Sequence, residues 1–204
     1  RSIDASTAHR TADGWTYGFP ELSHEQREAI ATSKRIANPG CHATGLISTT
    51  APLVRMGIVP ADYPVTCYSI TGYSGGGKKM IASYEAEGRP EILDAPGIYG
   101  LSLSHKHLPE MQKVAGLDYP PVFMPVVDDY YKGMATTIML QSRLLEGTPG
   151  AEEICARLQD YYADEHFVTV LPYGTNSSTL YANELAGTNY LHIVVCGNED
   201  RISV

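Results

Sequence analysis

Cysteine pairing is missing from this chain. The four cysteines, at 41, 67, 155 and 196, stand far apart and form no CxxC. That spacing argues against a zinc site and against a disulfide framework. Reduced thiols of this kind suit a cytoplasmic protein. Basic charge is also scarce: 15 Lys and Arg face 23 Asp and Glu, for a net charge of -8. A nucleic-acid-binding chain would carry a basic patch, so that role is set aside, although a local pocket for a small anion is still allowed. No apolar run has the length of a membrane span, and no signal peptide is visible. Neither GxGxxG nor GxxxxGK[ST] occurs, so no dinucleotide or P-loop fingerprint can be read. Repeats and low-complexity tracts are absent too. The chain opens at Arg1 without a methionine and stops at Val204 inside an apparent strand. It therefore reads as a piece of a longer protein.

What is present suits a folded domain. Of 204 residues, 43% are hydrophobic, enough for a sizeable core. Residues 4–20 read as a polar loop after a strand. Ser23 and Gln26 have capping-box spacing, which predicts a helix to about Ser33. Arg35–Ala37 reads as a strand, and Pro39-Gly40 as a turn. Ala43, Leu46, Ile47, Leu53 and Val54 then fit one helical face to about Met56. Residues 65–70 read as a strand, 78–87 as a helix and 88–97 as a Pro/Gly-rich loop. Residues 99–102 read as extended, feeding a helix that ends near Gly116. Further strands are expected at 122–127, 134–140, 167–171 and 190–196, with an amphipathic helix at 151–163. The loop 172–189 is polar, with Leu180, Tyr181 and Leu185 as its anchors. Strands cluster after residue 120 around a single helix. That is an α+β pattern, a sheet with helices on one face.

The chemistry-bearing residues fall in a few stretches. Cys41 follows the Pro39-Gly40 turn and opens a helix. Unpaired N–H groups and the positive dipole end favour an anion there, and the thiolate is the nucleophilic form of cysteine. The alternative is a small, buried, inert cysteine. His105 and His107 flank Lys106. If that segment is extended, the two rings share a face and Lys106 points away. A histidine beside a thiolate can act as base and then acid; metal binding or a solvated basic turn is the competing reading. The run Ser74-Gly75-Gly76-Gly77 precedes a helix. It is either a flexible turn or a place where backbone N–H groups meet an anion. Ser6-Thr7-Ala8-His9-Arg10 is either a surface turn or a phosphate-holding loop, since Arg can fork onto phosphate.

Six stretches share one resemblance: IDASTAHR (3–10), GWTYGFPEL (14–22), NPGCHATG (38–45), ITGYSGGGKKMI (70–81), HKHLPEM (105–111) and GTN (187–189). Together they resemble the N-acetyl-gamma-glutamyl-phosphate reductase family, in its shorter subgroup. Its relatives are the aspartate-semialdehyde and glyceraldehyde-phosphate dehydrogenases. The resemblance implies NADPH-dependent reduction of an acyl phosphate to a semialdehyde in arginine biosynthesis, with release of phosphate. It implies a mixed, largely antiparallel sheet in residues 39–204, the catalytic and dimerisation domain. Residues 1–38 would be the tail of a dinucleotide-binding (Rossmann) domain. The nucleophile falls on Cys41, whose backbone N–H is a candidate oxyanion donor, and the general acid/base falls on His105. Substrate contacts fall on Arg10, His107, Glu110 and Ser74, with Arg10 expected on phosphate. Cofactor contacts fall on Gly75 and Gly76. No metal is implied. The implied partners are a small-molecule acyl phosphate and further copies of the chain, as a homodimer or homotetramer. Thr71 departs from the pattern, where serine is expected. Two other readings stand beside this one: a Cys-His acyl transferase or hydrolase without a redox step, and a non-catalytic oligomerisation module.

Overall fold

The structure is a computed structural model that describes residues 1–175 and 178–204. It begins with three short strands, β1 (Ser2–Asp4), β2 (Thr16–Tyr17) and β3 (Arg35–Ala37). They form a parallel sheet in the order β1-β3-β2. Helix α1 (His24–Thr32) lies between β2 and β3. Ser23 caps α1, its hydroxyl accepting the Gln26 N–H at 3.1 Å. The capping box closes on one side only, because the Gln26 amide donates to the Tyr17 carbonyl. The stretch 4–20, expected to be all loop, thus holds a strand and a buried Tyr17. Two residues of strand are too few for a period-2 signal.

Helix α2 (Cys41–Arg55) follows directly from β3 through the Pro39-Gly40 turn. Its apolar stripe, Ala43, Leu46, Ile47 and Leu53, is fully buried. Pro52 sits inside α2 and has no N–H for the Ser48 carbonyl one turn back. The Tyr162 hydroxyl donates to that carbonyl at 2.7 Å and fills the gap.

The main sheet has six strands. In chain order they are β4 (Thr66–Gly72), β5 (Gly97–Ile98), β6 (Val122–Asp128), β7 (Met134–Gln141), β10 (Cys196–Gly197) and β11 (Arg201–Ser203). Their order is β10-β11-β7-β4-β6-β5. Only β4 and β6 run parallel; the other neighbours are antiparallel. Helix α2 packs on the inner face beside α4 (Leu108–Ala115) and α5 (Ala151–Tyr161), over Phe123, Ile138 and Leu140. Helix α3 (Gly77–Tyr84) follows the glycine run. This is the expected mixed α+β sheet with helices on one face.

Three details differ from expectation. Residues 99–102 are not extended; the extended pair is Gly97–Ile98, which adds to β6. Residues 190–196 are not one strand. They divide into β9 (Leu191–Ile193), which pairs in parallel with β8 (Val168–Val170), and β10, which joins β11. Alternation along a sequence cannot show that a chain changes partner sheets midway. Leu180 and Tyr181 are no anchors: they are 48% and 70% exposed. With Leu185 they line a groove. No helix is long and apolar enough to cross a membrane among the described residues.

Candidate active site

The site is assembled at the N-terminus of α2. Gly40 is the N-cap, with extended φ and ψ of -74° and 148°, and Cys41 is the first helical residue. The thiol is exposed. A Cβ on Gly40 would come within 2.5 Å of both Arg10 Nη1 and Glu110 Oε1, and 2.7 Å from His107 Nε2. The turn therefore needs glycine for close approach rather than for backbone angle.

Beneath the turn lies a buried carboxylate. Glu110, on the first turn of α4, is 2% exposed. Its Oε1 accepts Arg10 Nη1 at 2.7 Å, and its Oε2 accepts the Tyr17 hydroxyl at 2.9 Å and the Gly40 N–H at 3.1 Å. Burial first, then the Glu110 charge, keep the Tyr17 phenol protonated. Arg10 is committed elsewhere as well: Nε donates to the Asn38 carbonyl at 3.0 Å and Nη2 to the Ala5 carbonyl at 2.9 Å. Its fork spans the 5–10 loop, the cysteine turn and α4. Neither Arg10 nor Glu110 lines the cleft at Cys41.

That cleft has a volume of about 420 Å³ and is lined by Cys41, His42, Tyr99, His105, Lys106 and His107, with Thr71, Gly75 and Gly76 across from them. His105 and His107 meet edge to face, ring centroids 4.7 Å apart. The His107 backbone N–H donates to His105 Nδ1 at 3.2 Å. This is a tight turn into α4, not an extended segment, so Lys106 does not point away as expected but shares the cleft. Phe123 packs against two of these rings: His42 and His105 stand 5.2 and 5.1 Å from it, edge to face.

Burial and neighbouring positive charge favour the neutral form of these rings. Burial pushes His107 down to about 3, helped by His105 and Arg10. His107 Nε2 lies 4.0 Å from Glu110 Oε1, but a neutral ring makes no ion pair. His107 Nδ1 is buried without a hydrogen-bond partner among the described residues. His105 is lowered less, by burial and then by Lys106. It is therefore the ring better able to gain and lose a proton near neutrality.

A second, wider groove of about 910 Å³ opens on the other side of Cys41. Cys41, Thr71 and Gly75 line both spaces. Ser74 lines this wider groove with Thr136, Lys132 and the segment 179–188; Gly76 lines the narrower cleft. Thr71 keeps a hydroxyl where serine was expected. Of the expected residues, Cys41, His105, His107, Gly75 and Gly76 thus share one cleft, with Ser74 round the corner and Arg10 and Glu110 behind. Sequence reasoning did not single out His42, Tyr99, Ser69 or Tyr17. His42 was in view as the residue after the cysteine, but nothing in spacing tells a buried, bonded histidine from a solvated one. No group of three or more His, Cys, Asp or Glu side chains is placed to hold a metal ion among the described residues.

Fold and site define a class. Residues 41–204 match the family described as semialdehyde dehydrogenase, dimerisation domain, and the chain belongs to that family. It is 44% identical over 204 residues to N-acetyl-gamma-glutamyl-phosphate reductase 2 of Pseudomonas putida, covering 98% of this chain and 64% of that one. A protein of the same name from Nostoc sp. is 42% identical over 207 residues, covering 97% and 64%. The N-acetyl-gamma-glutamyl-phosphate reductase of Chelativorans sp. is 45% identical over 207 residues, covering 98% and 66%. This chain thus spans a little under two thirds of these relatives. Among solved structures, an aspartate semialdehyde dehydrogenase from Francisella tularensis superposes with a TM-score of 0.69 at 14% identity, over 98% of this chain and 67% of that one. That likeness confirms the fold.

Proposed function

We propose that this chain is the catalytic and dimerisation part of an NADPH-dependent reductase that converts N-acetyl-gamma-glutamyl phosphate to its semialdehyde, releasing phosphate, in arginine biosynthesis in the cytoplasm. The observation that carries the reading is the exposed Cys41 at the start of α2, in one cleft with the edge-to-face pair His105 and His107. The names of the 42–45% identical relatives support the substrate.

The Cys41 thiolate adds to the acyl-phosphate carbonyl. As the C=O re-forms, the C–O bond to phosphate breaks with its electron pair, and an acyl thioester remains. NADPH, when bound, supplies the hydride that takes the thioester carbon to the aldehyde level. His105 gives the carbonyl oxygen its proton and takes it back as the C–S bond breaks, and Cys41 leaves as thiolate. His107, held neutral, lines the same cleft and is the ring assigned to substrate binding. Arg10 holds Glu110, and Glu110 holds the Gly40 N–H, so this pair sets the cysteine turn. Phosphate is left to Lys106, the exposed cation of the cleft. Gly75 and Gly76 line the cleft at Cys41 and would hold NADPH there with bare backbone. Residues 1–38 are read as the tail of the nucleotide-binding domain, for which the parallel strands β1, β3 and β2 speak. Residues 39–204 form the catalytic and oligomerising part, as a homodimer or homotetramer.

The test is nicotinamide absorbance with the full-length protein. Oxidation of NADPH is expected with N-acetyl-gamma-glutamyl phosphate and not with the free carboxylic acid. A protein that forms the acyl-enzyme but never consumes NADPH would overturn the reading.

A further inference from the structure

A chain of four buried or half-buried polar groups runs behind Cys41 and has no part in the mechanism above. Tyr99 OH lies 2.7 Å from His42 Nε2, His42 Nδ1 lies 2.7 Å from Ser69 Oγ, and Ser69 Oγ lies 2.8 Å from Thr136 Oγ1. His42 is 2% exposed and Ser69 not at all. The chain joins α2, β4 and β7 to the segment after β5. It also needs a bare backbone on α2, because a Cβ at Gly45 would lie 2.4 Å from Thr136 Oγ1.

Such a chain can be protonated in two directions. Among the described residues Thr136 Oγ1 bonds only Ser69. If Thr136 donates to Ser69, Ser69 donates to His42 Nδ1 and His42 Nε2–H donates to the Tyr99 oxygen. Every buried proton is then used, and the Tyr99 proton is left over. Tyr99 lines the cleft that holds Cys41. In the opposite direction the Tyr99 proton is consumed on His42, and the spare proton belongs to Thr136. Burial lowers His42 to about 4, so the ring is neutral and keeps one proton to place. Burial, and then the charge on Cys41, raise Tyr99 to about 12, so the phenol stays a donor.

We infer that Tyr99 is a hydrogen-bond donor to the oxyanion formed when an acyl group is attacked by Cys41, and that His42, through Ser69 and Thr136, is the positioning residue that aims it. This rests on the reading of Cys41 as nucleophile. Sulfur bonds to the carbonyl carbon, the π pair moves to oxygen, and the Tyr99 hydroxyl meets that new charge. The charge is absent in the ground state, so the contact strengthens in the transition state and speeds acylation.

Two electrophiles test it on the full-length protein without cofactor or phosphate. p-Nitrophenyl acetate acylates Cys41 through an oxyanion, with nitrophenolate leaving. Iodoacetamide alkylates the same sulfur by displacement of iodide and forms no oxyanion. Tyr99→Phe is expected to slow acylation on the order of a hundredfold, the usual worth of one oxyanion donor, and to change alkylation less than about twofold. His42→Asn should give most of the same loss. His42→Gln, whose amide can reach the Nε2 position, should recover part of it. The double variant His42→Asn with Tyr99→Phe should be no slower than Tyr99→Phe alone. If the His42 variants do not fold, Tyr99→Phe decides. Equal loss with both probes, no loss of acylation, or a wild-type Cys41 that p-nitrophenyl acetate does not acylate would each overturn the inference. The NADPH assay stands apart from this test, so a failed reductase reading and a failed Tyr99 assignment give different results.

Discussion

In the proposed mechanism Cys41 and His105 have separate duties, and single substitutions separate them. Cys41→Ser keeps the size of the side chain but replaces a thiolate with a poor nucleophile. Reduction of acyl phosphate should vanish with the melting temperature unchanged; a rate above a few per cent of wild type would exclude the thioester. His105→Asn should lower kcat by about a hundredfold, the usual worth of a placed acid/base, and remove one limb of the pH–rate profile. His107→Asn should act mainly on KM, since a ring held down to about 3 does not exchange protons at neutral pH. Steady-state kinetics of the two variants decide between the rings. Their burial also has a pH signature. His42 and His107 are lowered to about 4 and about 3 in the fold, against an ordinary 6.5. Below that value the unfolded chain takes up protons that the fold refuses. Stability from these rings is therefore whole above 6.5 and is lost as pH falls toward 4, by about 1.4 kcal/mol per pH unit for each ring. Urea midpoints at about pH 7.5 and about pH 5 should show the fall. His42→Asn should lessen it.

At the scale of elements, α2 is held at two points. Its N-terminus rests on the Arg10–Glu110 pair, with side chains 9% and 2% exposed. Breaking a buried pair leaves one charge alone, at a cost of about 3–5 kcal/mol. Arg10→Ala should lower stability by about that much in urea unfolding, and should slow Cys41 alkylation because Glu110 no longer holds the Gly40 N–H. The middle of α2 depends on α5. Tyr162→Phe removes the hydroxyl that serves the Ser48 carbonyl left open by Pro52. The expected cost is about 1–3 kcal/mol, that of an unsatisfied buried acceptor; a change below about 0.5 kcal/mol would mean that another donor takes its place. Pro52 was visible in the sequence, but its remedy came from 110 residues further along the chain.

On the whole molecule, the outer face of the six-stranded sheet exposes apolar side chains. Tyr68, Val122, Met124 and Met139 are all 39% exposed or more. The register aligns Tyr68 with Met124 and sets Thr66 between Val122 and Met139. Such an apolar face suits a subunit contact, and the family description names a dimerisation domain. Met124→Glu should shift the full-length protein toward monomer in analytical ultracentrifugation. An unchanged mass would place the contact elsewhere.

The sequence by itself determined the elements with a strong period or a clear cap. Helix α2 was legible from its stripe, α1 from Ser23, and β4, β6 and β7 from their β-branched runs. The stretches NPGCHATG and HKHLPEM, through the family they resemble, were enough to single out Cys41 and His105 as candidates. Tertiary structure decided what those residues meet. Arg10 reads as a free cation in the chain, yet its guanidinium is spent on Glu110, Asn38 and Ala5. Lys106 would point away from the two rings only if its segment were extended, and a turn put it in the cleft. His42, Ser69, Tyr99 and Thr136 have no common spacing and lie on four separate stretches. Local periodicity records which face of an element is apolar. It does not record which polar atoms meet when several elements pack together, and the partners of a buried hydrogen bond are settled only there.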